Sequence, residues 1–403
     1  MSQNPTLISQ LEVYKDELYV GLLRRTTQGS RFEFSKELIE DPHRRKITYR
    51  IQAQQTPLEV VGVNLPPYFA GLLPEGLRLK ALIKRTKTSQ DDLFSLLAGS
   101  GTEPVGDLHF KIPGNSQKET QKFEPQLMDD FARLRKEILQ TGENLNHPVS
   151  GVQDKISGSR LTLPLKVGIK SKTQQFILKF DSQETPDLVE NEWHSLKLAK
   201  ACGLQVSQAK VITDSQGEKA LLVTRFDRQW VPEEKRFQRY HQEDACQFLD
   251  RYPADKYLLS FQEIADGLQS YCESPQIEIL NLLRLAAFSY LLGNGDLHGK
   301  NISLLQKSVS TLSPAYDMVC TYAYGDLQMA LALDGKKDNW KRKLLVAFGE
   351  RYGVPAISTE KMLDQLAKKF AQNRSLLWKV PYLNKKKKSL EPLFSKRLDH
   401  LGM

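Results

Sequence analysis

The most apolar stretch of the chain, residues 277–292, limits the possible folds more than any other segment. Its polar or charged members include Glu278, Asn281, Arg284 and Ser289. The stretch is shorter than the roughly 20 apolar residues that a bilayer-spanning helix needs. We therefore expect a helix buried inside a protein domain rather than a membrane span.

Strand-like and helix-like patterns occupy different parts of the chain. Residues 11–60 alternate between apolar and polar side chains, as in short strands, and so do several pieces up to about residue 228. From residue 242 onward the pattern is mainly helical. The polar, proline-flanked residues 112–125 are typical of a linker. The sequence thus predicts an α+β fold divided into residues 1–122, 123–228 and 229–403.

Composition and cysteine spacing indicate a folded protein of a reducing compartment. The 403 residues include 57 Lys and Arg against 48 Asp and Glu, a net charge of +9, with 40% hydrophobic residues, which is typical of a folded chain. The four cysteines are widely spaced and form no CxxC pair, which argues against a disulfide scaffold and a thiolate zinc site. The first residues lack a basic region followed by an apolar run, so no signal peptide is expected. We expect a cytoplasmic protein.

The chemistry is indicated by the motif Gly-Asn-Gly-Asp-Leu-His-Gly-Lys-Asn that follows the apolar stretch. Asp296 and Asn301 lie in this motif, and Asp317 follows in Pro-Ala-Tyr-Asp. One carboxylate that orients a hydroxyl, with an amide and a second carboxylate that hold magnesium, suits phosphoryl transfer. The alternative is a glycine-rich helix end with an incidental acid.

Two segments upstream are candidates for binding nucleotide phosphates. Lys179 is a single basic residue in the apolar strand-like segment 176–180, from which it could reach phosphates or simply point outward. Residues 150–155 form a short loop with Ser, Gly and Lys whose backbone N–H groups could lie over phosphates, although the same residues also suit an ordinary turn. Glu190 and Glu192 either pair with Lys179 or complement a helix dipole.

Several motifs together resemble the HipA-family serine/threonine kinases, the toxins of HipBA-type toxin–antitoxin pairs. The matching segments are LLPEGLR, LLAGSGTEPVGDL, SGVQDK, FILKF, VENEWHSLKLAKACGL, LLVTRFDR, HQEDACQFL, GNGDLHGKNISLL and LSPAYDMV. The resemblance implies a two-lobed protein-kinase-like fold with a strand-rich N-terminal lobe, an extra N-terminal subdomain and a helical C-terminal lobe. It further implies ATP and Mg²⁺ as cofactors.

The resemblance also assigns roles to residues. The catalytic residue would be Asp296, with His298 and Lys300 as its companions, and Asn301 and Asp317 would bind magnesium. The ATP-binding residues would be Val152, Gln153, Asp154, Lys155, Lys179, Thr224, Arg225, Phe226 and His298. Thr224 stands where several relatives have Glu. Pro148 occupies the usual autophosphorylated serine position, which leaves Ser150 as the candidate.

Known members of this family phosphorylate a serine of an aminoacyl-tRNA synthetase and are neutralised by a small helix-turn-helix antitoxin that binds operator DNA. The resemblance therefore implies a protein substrate, a HipB-like antitoxin as partner, and DNA contact only through that antitoxin.

Two other functions remain open at this point. The motif containing Asp296 also resembles aminoglycoside and choline kinases, although those enzymes usually have His where this chain has Asn294 and lack the LLPEGLR segment. The second open function is that of a non-catalytic DNA-binding corepressor, because the C-terminal end is basic. Its basic residues are Lys379, Lys385–Lys388, Lys396 and Arg397. The simpler interpretation of that end is a solvated, partly disordered face.

Overall fold

The computed structural model describes residues 8–41, 46–62, 65–100, 104–114, 130–141, 162–169, 172–181 and 185–402. The chain divides into two compact units. The first consists of residues up to 180 together with 212–253, and the second of residues 181–211 together with 254–403.

The described strands and helices follow one another along the chain. The strands are β1 (Gln10–Lys15), β2 (Leu18–Thr26), β3 (Gly29–Phe34), β4 (Leu58–Val61), β5 (Leu108–Lys111), β6 (Thr162–Ile169), β7 (Lys172–Phe180), β8 (Ala209–Thr213), β9 (Lys219–Thr224), β10 (Arg228–Val231), β11 (Arg236–Arg239), β12 (His241–Asp244), β13 (Ser303–Gln306) and β14 (Ser310–Leu312). The α-helices are α1 (Lys36–Glu40), α2 (Pro67–Gly71), α3 (Gly76–Thr86), α4 (Leu93–Gly99), α5 (Phe131–Thr141), α6 (Leu188–Ala201), α7 (Ala245–Phe248), α8 (Phe261–Tyr271), α9 (Pro275–Leu292), α10 (Arg342–Arg351), α11 (Ala356–Asn373), α12 (Pro381–Lys385) and α13 (Lys387–Leu401).

The first unit begins with a five-stranded sheet in the order β4-β3-β2-β1-β5. Its neighbouring strands pair antiparallel. Alternate side chains such as Val13, Leu23 and Phe32 point into a core that also contains Phe69 of α2 and Leu97 of α4. The alternating pattern of residues 11–34 and 58–61 is thus explained by one buried sheet face.

One predicted strand in this region is wrong. Residues 46–52 alternate in sequence, but they form a tight loop closed by a bridge between Lys46 and Gln52. The backbone N–H of Tyr49 donates to a carboxylate oxygen of Glu243 at 2.6 Å. Because a side chain far away in sequence takes this N–H group, the alternation does not lead to strand pairing.

A second sheet of the first unit has the order β6-β7-β9-β8. Helix α5 covers it with Phe131 and Leu134, which pack with Phe176 and Leu178 of β7. The register places Lys179 between Thr162 and Leu221 of the flanking strands. The lysine predicted to bind phosphates therefore lies on a central strand.

Helix α9 dominates the second unit and confirms the predicted buried helix. It is buried on nearly all sides from Leu282 to Leu292. Only its first turn is exposed, where Ile277 shows 60% of its surface. Helix α6 ends as predicted at a glycine, because Gly203 adopts a φ of 90° just beyond its last residue.

The C-terminal end is more ordered than expected. Residues 385–388 are exposed, as a solvated basic face requires, but they lie at the junction of helices α12 and α13. Buried Leu383, Leu390 and Phe394 anchor these helices. The expectation of partial disorder is therefore wrong. Among the residues described, no helix combines the length and apolar character that crossing a bilayer demands.

Candidate active site

Gly293, at the end of helix α9, directs the chain into the loop that contains the acidic motif. Its φ of 75° lies in the left-handed region, which glycine adopts without strain. Its N–H donates to the Tyr290 carbonyl at 3.2 Å, and the N–H of Asn294 donates to the Ser289 carbonyl at 2.9 Å. The buried helix thus fixes the point at which the loop begins.

Gly295 is packed too closely for any side chain. A Cβ at this position would lie 2.5 Å from the carbonyl oxygen of Gln328 and 2.8 Å from Cβ of Asp326. The Gly295 N–H also donates to Oγ1 of Thr321 at 2.7 Å. This glycine is required by space, and it holds the loop against residues 321–328.

The backbone of Asp296 is held by its neighbours in the motif. Its N–H donates to Oδ1 of Asn294 at 3.1 Å. Its carbonyl oxygen accepts bonds at 2.8 Å from the His298 N–H and from Nδ2 of Asn301. The spacing of the motif therefore closes a compact turn around Asp296.

The carboxylate of Asp296 has a partner from outside the motif. The Tyr257 hydroxyl donates to Oδ1 of Asp296 at 2.6 Å. Only 6% of the Asp296 surface is exposed. This short bond to a charged acceptor fixes the rotamer of the carboxylate that the sequence predicts to be catalytic.

Asp317 is joined to the same loop through Tyr316. The Tyr316 hydroxyl lies 2.7 Å from the Lys300 carbonyl oxygen, to which it donates, and 2.6 Å from Oγ of Ser303. Asp317 itself has a φ of 55°, an uncommon left-handed conformation for a residue other than glycine. The structure therefore brings the Asp of Pro-Ala-Tyr-Asp to the motif that carries Asp296 and Asn301.

His298 is buried among charged groups of this site. Burial first, and then the positive charges of Lys256 and Lys300, hold the pKa of His298 well below its usual value, while the Asp317 carboxylate acts in the opposite direction. The imidazole is therefore neutral at pH 7. Its Nδ1 is buried without a hydrogen-bond partner in the described part of the chain, and its ring packs edge-on against Tyr257.

Two buried lysines supply positive charge. Lys300 belongs to the motif and was predicted, whereas Lys256 is only 1% exposed and was missed. The Lys256 carbonyl accepts the Gly299 N–H at 2.9 Å, which ties its segment to the loop. Nothing in the sequence around Lys256 and Tyr257 distinguishes them, since only the packing of residues 254–260 against the loop brings them to Asp296.

The donor atoms suit magnesium, which the resemblance implies. Asp296, Asp317 and Asn301 offer oxygen ligands, the type that magnesium prefers. Asn301 uses Nδ2 for the Asp296 carbonyl, and its Oδ1 accepts no hydrogen bond from the described residues. The described residues contain no group of three or more His, Cys, Asp or Glu side chains placed to hold a metal. The candidate magnesium ligands are two carboxylates and one amide, so they do not form such a group.

The predicted nucleotide residues that are described lie in the first unit. Lys179 is buried on β7, and Thr224 is the last residue of β9. The Arg225 N–H donates to the Gln175 carbonyl at 2.9 Å, and Nη2 of Arg225 donates to the Asp227 carboxylate at 2.6 Å. Phe226 is half-buried.

The side chain of Arg225 belongs to a buried ion-pair group. Arg225 and Arg228 both bond to Asp227, which also accepts the Gly106 N–H at 3.0 Å. Burial raises the pKa of Asp227, but the two arginine charges and these hydrogen bonds outweigh it and hold the pKa below its usual range. The group fixes the turn that follows β9.

The remaining predicted residues, Ser150 and Val152, Gln153, Asp154 and Lys155 of the phosphate loop, lie outside the described residues.

Comparisons with known proteins show the family to which the chain is similar. Residues 11–111 match the HipA N-terminal domain, and residues 148–374 match the HipA-like C-terminal domain. The serine/threonine-protein kinase toxin HipA of Shewanella oneidensis is 30% identical over 345 residues, which is 78% of each chain.

A solved structure supports the same fold. The Shewanella oneidensis toxin–antitoxin complex of HipA, HipB and operator DNA contains a chain that superimposes with a TM-score of 0.76, at 23% identity and over 98% of each chain. The fold is thus the α+β, kinase-like fold that the sequence predicts. The chain belongs to the HipA family.

Proposed function

We propose that this protein is an ATP-dependent serine/threonine protein kinase that acts as the toxin of a toxin–antitoxin pair. The observation that carries the proposal is the cluster of Asp296, Asn301 and Asp317 around one loop of the second unit, in a chain of the HipA family. Buried Lys256 and Lys300 supply positive charge at the same loop.

In the proposed reaction, Asp296 orients the hydroxyl of the substrate and accepts its proton as the γ-phosphoryl group of ATP is transferred. The Tyr257 hydroxyl keeps the Asp296 carboxylate in position. Asn301 and Asp317 would hold magnesium, which neutralises phosphate charge. Lys300 and neutral His298 would lie beside Asp296 during the reaction. The charge of Lys300 would offset negative charge on the transferred phosphoryl group.

The nucleotide-binding residues belong to the same proposal. Lys179 would contact the α- and β-phosphates, and the backbone of Thr224, Arg225 and Phe226 would contact adenine. Residues 152–155 would cover the phosphates. Ser150 is the proposed site of autophosphorylation. We also propose that residues 1–122 form the additional subdomain, 123–228 the N-terminal lobe and 229–403 the C-terminal lobe.

A HipB-like helix-turn-helix antitoxin is the proposed partner. Support comes from the solved Shewanella structure, which is a complex of HipA with HipB and its operator DNA. The proposed target is a protein hydroxyl, as in relatives that modify an aminoacyl-tRNA synthetase. The four cysteines are buried and form no disulfide, which fits a reducing cytoplasm.

The proposal is tested by incubating the purified protein with γ-labelled ATP and magnesium, once with cell lysate and once with a panel of aminoglycosides and choline. We expect labelled protein bands and no labelled small molecule. A labelled drug or choline without labelled protein would contradict the proposal.

Asp296→Asn is the matched variant, because it removes the charge of Asp296 while keeping its size. We expect turnover to fall by about 100-fold or more with ATP affinity little changed, since a general base acts mainly in the transition state. Asp364→Asn is the control, because it removes the same charge from an exposed carboxylate that pairs with Arg342 and is distant in sequence from Asp296. Parental activity in Asp296→Asn would refute the assignment.

A further inference from the structure

A small pocket lies in the second unit, beside the end of helix α6. Its volume is about 130 Å³, and it lies between residues 203–205, one face of helix α9 and residues 312–315. Leu204, Leu285 and Leu312 supply apolar lining, and Arg284 and Asn281 supply polar groups. The proposed kinase function uses none of these side chains.

Arg284 brings a positive charge to this pocket that no carboxylate among the described residues balances. Its side chain is half-buried, and burial lowers the pKa of its guanidinium. Within the described residues its one hydrogen bond goes from Nη1 to Oδ1 of Asn281 at 3.0 Å. A guanidinium carries five N–H donors, so four have no protein acceptor in that part of the chain.

Glu278, the acidic residue on the same helix, uses its carboxylate for hydrogen bonds to other groups. Oε2 of Glu278 accepts the Leu312 N–H at 3.0 Å and Nδ2 of Asn281 at 3.3 Å. Asn281 in turn accepts from Arg284. This chain of bonds holds the guanidinium in one orientation without neutralising it. A planar cation held in place in this way is suited to bind an oxyanion through paired hydrogen bonds.

A second cation lies close to Gly203, one of the residues that line the pocket. A Cβ placed on Gly203 would lie 3.5 Å from Nζ of Lys369. Lys369 is exposed, and no acidic side chain among the described residues pairs with it. Arg284 is therefore the cation that lines the pocket, and Lys369 is a solvated cation near it.

One feature favours a carboxylate with a hydrocarbon part over phosphate. Leu204, Leu285 and Leu312 make part of the otherwise polar wall apolar, and the pocket is large enough for a few carbon atoms beside the anionic group.

We propose that this pocket binds a small monocarboxylate with a short branched apolar body, with Arg284 paired to the carboxylate and the leucines around the hydrocarbon part. The site is separate from the proposed phosphoryl-transfer residues.

Isovalerate and isovaleramide provide the test, because they differ in charge but hardly in shape. Binding to the full-length protein is measured by ligand-observed NMR at constant ionic strength. We expect isovalerate to bind at least about tenfold more tightly than isovaleramide, as loss of a charge-assisted pair predicts. This comparison uses the unmodified protein and does not depend on a variant that must fold.

Variants then test whether the preference for isovalerate over isovaleramide depends on residues of the pocket. Arg284→Gln should bring the two affinities within about twofold of each other. Lys369→Gln should weaken isovalerate only by about two- to threefold, because an exposed charge contributes little. Lys368→Gln is the control, since Lys368 precedes Lys369 on the same helix and is also exposed; it should leave the affinity unchanged.

Three results would overturn the proposal. Equal affinity for acid and amide, or preference for acid that persists in Arg284→Gln, would show that Arg284 binds no carboxylate. Tighter binding of inorganic phosphate than of isovalerate would contradict the ligand class. No binding of isovalerate at concentrations of about 20 mM would show that the pocket is not a monocarboxylate site.

Discussion

The hydroxyl of Tyr257 and the carboxylate of Asp296 form one of the shortest side-chain contacts of the second unit, 2.6 Å between the two oxygens. Tyr257 also packs against the ring of His298, with 5.1 Å between centroids. Because Tyr257 contacts both Asp296 and His298, it can hold these two side chains in position. We regard Tyr257 as a positioning residue of the proposed kinase site.

Tyr257→Phe is expected to lower kcat by about tenfold while the KM for ATP stays nearly constant, because a hydrogen bond to a charged group is worth about 1.5–3 kcal/mol and only part of that is lost in the transition state. The measurement is steady-state phosphorylation of a protein substrate.

Tyr352→Phe is the control for this variant. The Tyr352 hydroxyl donates to the Gln262 carbonyl and to Asp266, so its loss removes a comparable hydrogen bond elsewhere in the second unit. If Tyr257→Phe and Tyr352→Phe have the same kcat, Tyr257 has no positioning role.

At the scale of elements, the sequence predicts long helices well and short strands less well. Helix α9 was predicted because its apolar residues surround the helix, and the end of α6 because Gly203 follows it. The loop at 46–52 was predicted as a strand, because local alternation cannot reveal that Glu243 takes the Tyr49 N–H. Tertiary contacts decide such short segments.

The same distinction applies to the candidate site. Asp296, His298, Lys300 and Asn301 were predictable because they are neighbours in one motif. Asp317 was predictable from a second motif, and the turn at Tyr316 accounts for its return to the loop. Lys256 and Tyr257 were not predictable, because their role arises from how residues 254–260 pack against that loop.

Gly295→Ala tests the close packing of the loop. The added methyl group would meet the Gln328 carbonyl at 2.5 Å, so we expect the free energy of unfolding to fall by about 1–3 kcal/mol and kinase activity to fall with it. Urea denaturation followed by circular dichroism measures the first effect. A variant as stable and as active as the parent would show that the loop is not held against residues 326–328.

At the scale of the whole molecule, the pH dependence of stability is expected to arise from an ionic group in the first unit. In the first unit this group is formed by His241, Asp107, Glu243 and Lys15. Nδ1 of His241 lies 2.7 Å from Asp107 and Nε2 lies 2.7 Å from Glu243. Lys15 pairs with Asp107 at 2.8 Å. Because both ring nitrogens face carboxylates, the doubly protonated imidazole is favoured, while Nζ of Lys15, 3.2 Å from Nδ1, opposes it.

This group predicts a pH dependence of stability. Burial alone lowers the pKa of His241, but the charge of Asp107 and the hydrogen bonds to Asp107 and Glu243 outweigh burial and Lys15, so the pKa is raised. A raised pKa in the folded state stabilises the protein fully below the unfolded value of about 6.5, and this stabilisation is lost as pH rises through the folded value.

We therefore expect the free energy of unfolding to decrease from about pH 6.5 upward, and we expect His241→Gln to remove most of this slope. Urea denaturation of both proteins from about pH 6 to about pH 9 measures it. An identical slope in parent and variant would show that His241 is neutral in the folded protein.

The central claim is that the loop around Asp296 transfers phosphate to proteins. Quantitative phosphoproteomics of cells that express the parent chain or Asp296→Asn at equal levels tests it most directly. The account predicts serine or threonine sites whose phosphorylation rises with the parent and stays at background with the variant. Identical phosphoproteomes, with both proteins folded and abundant, would contradict it.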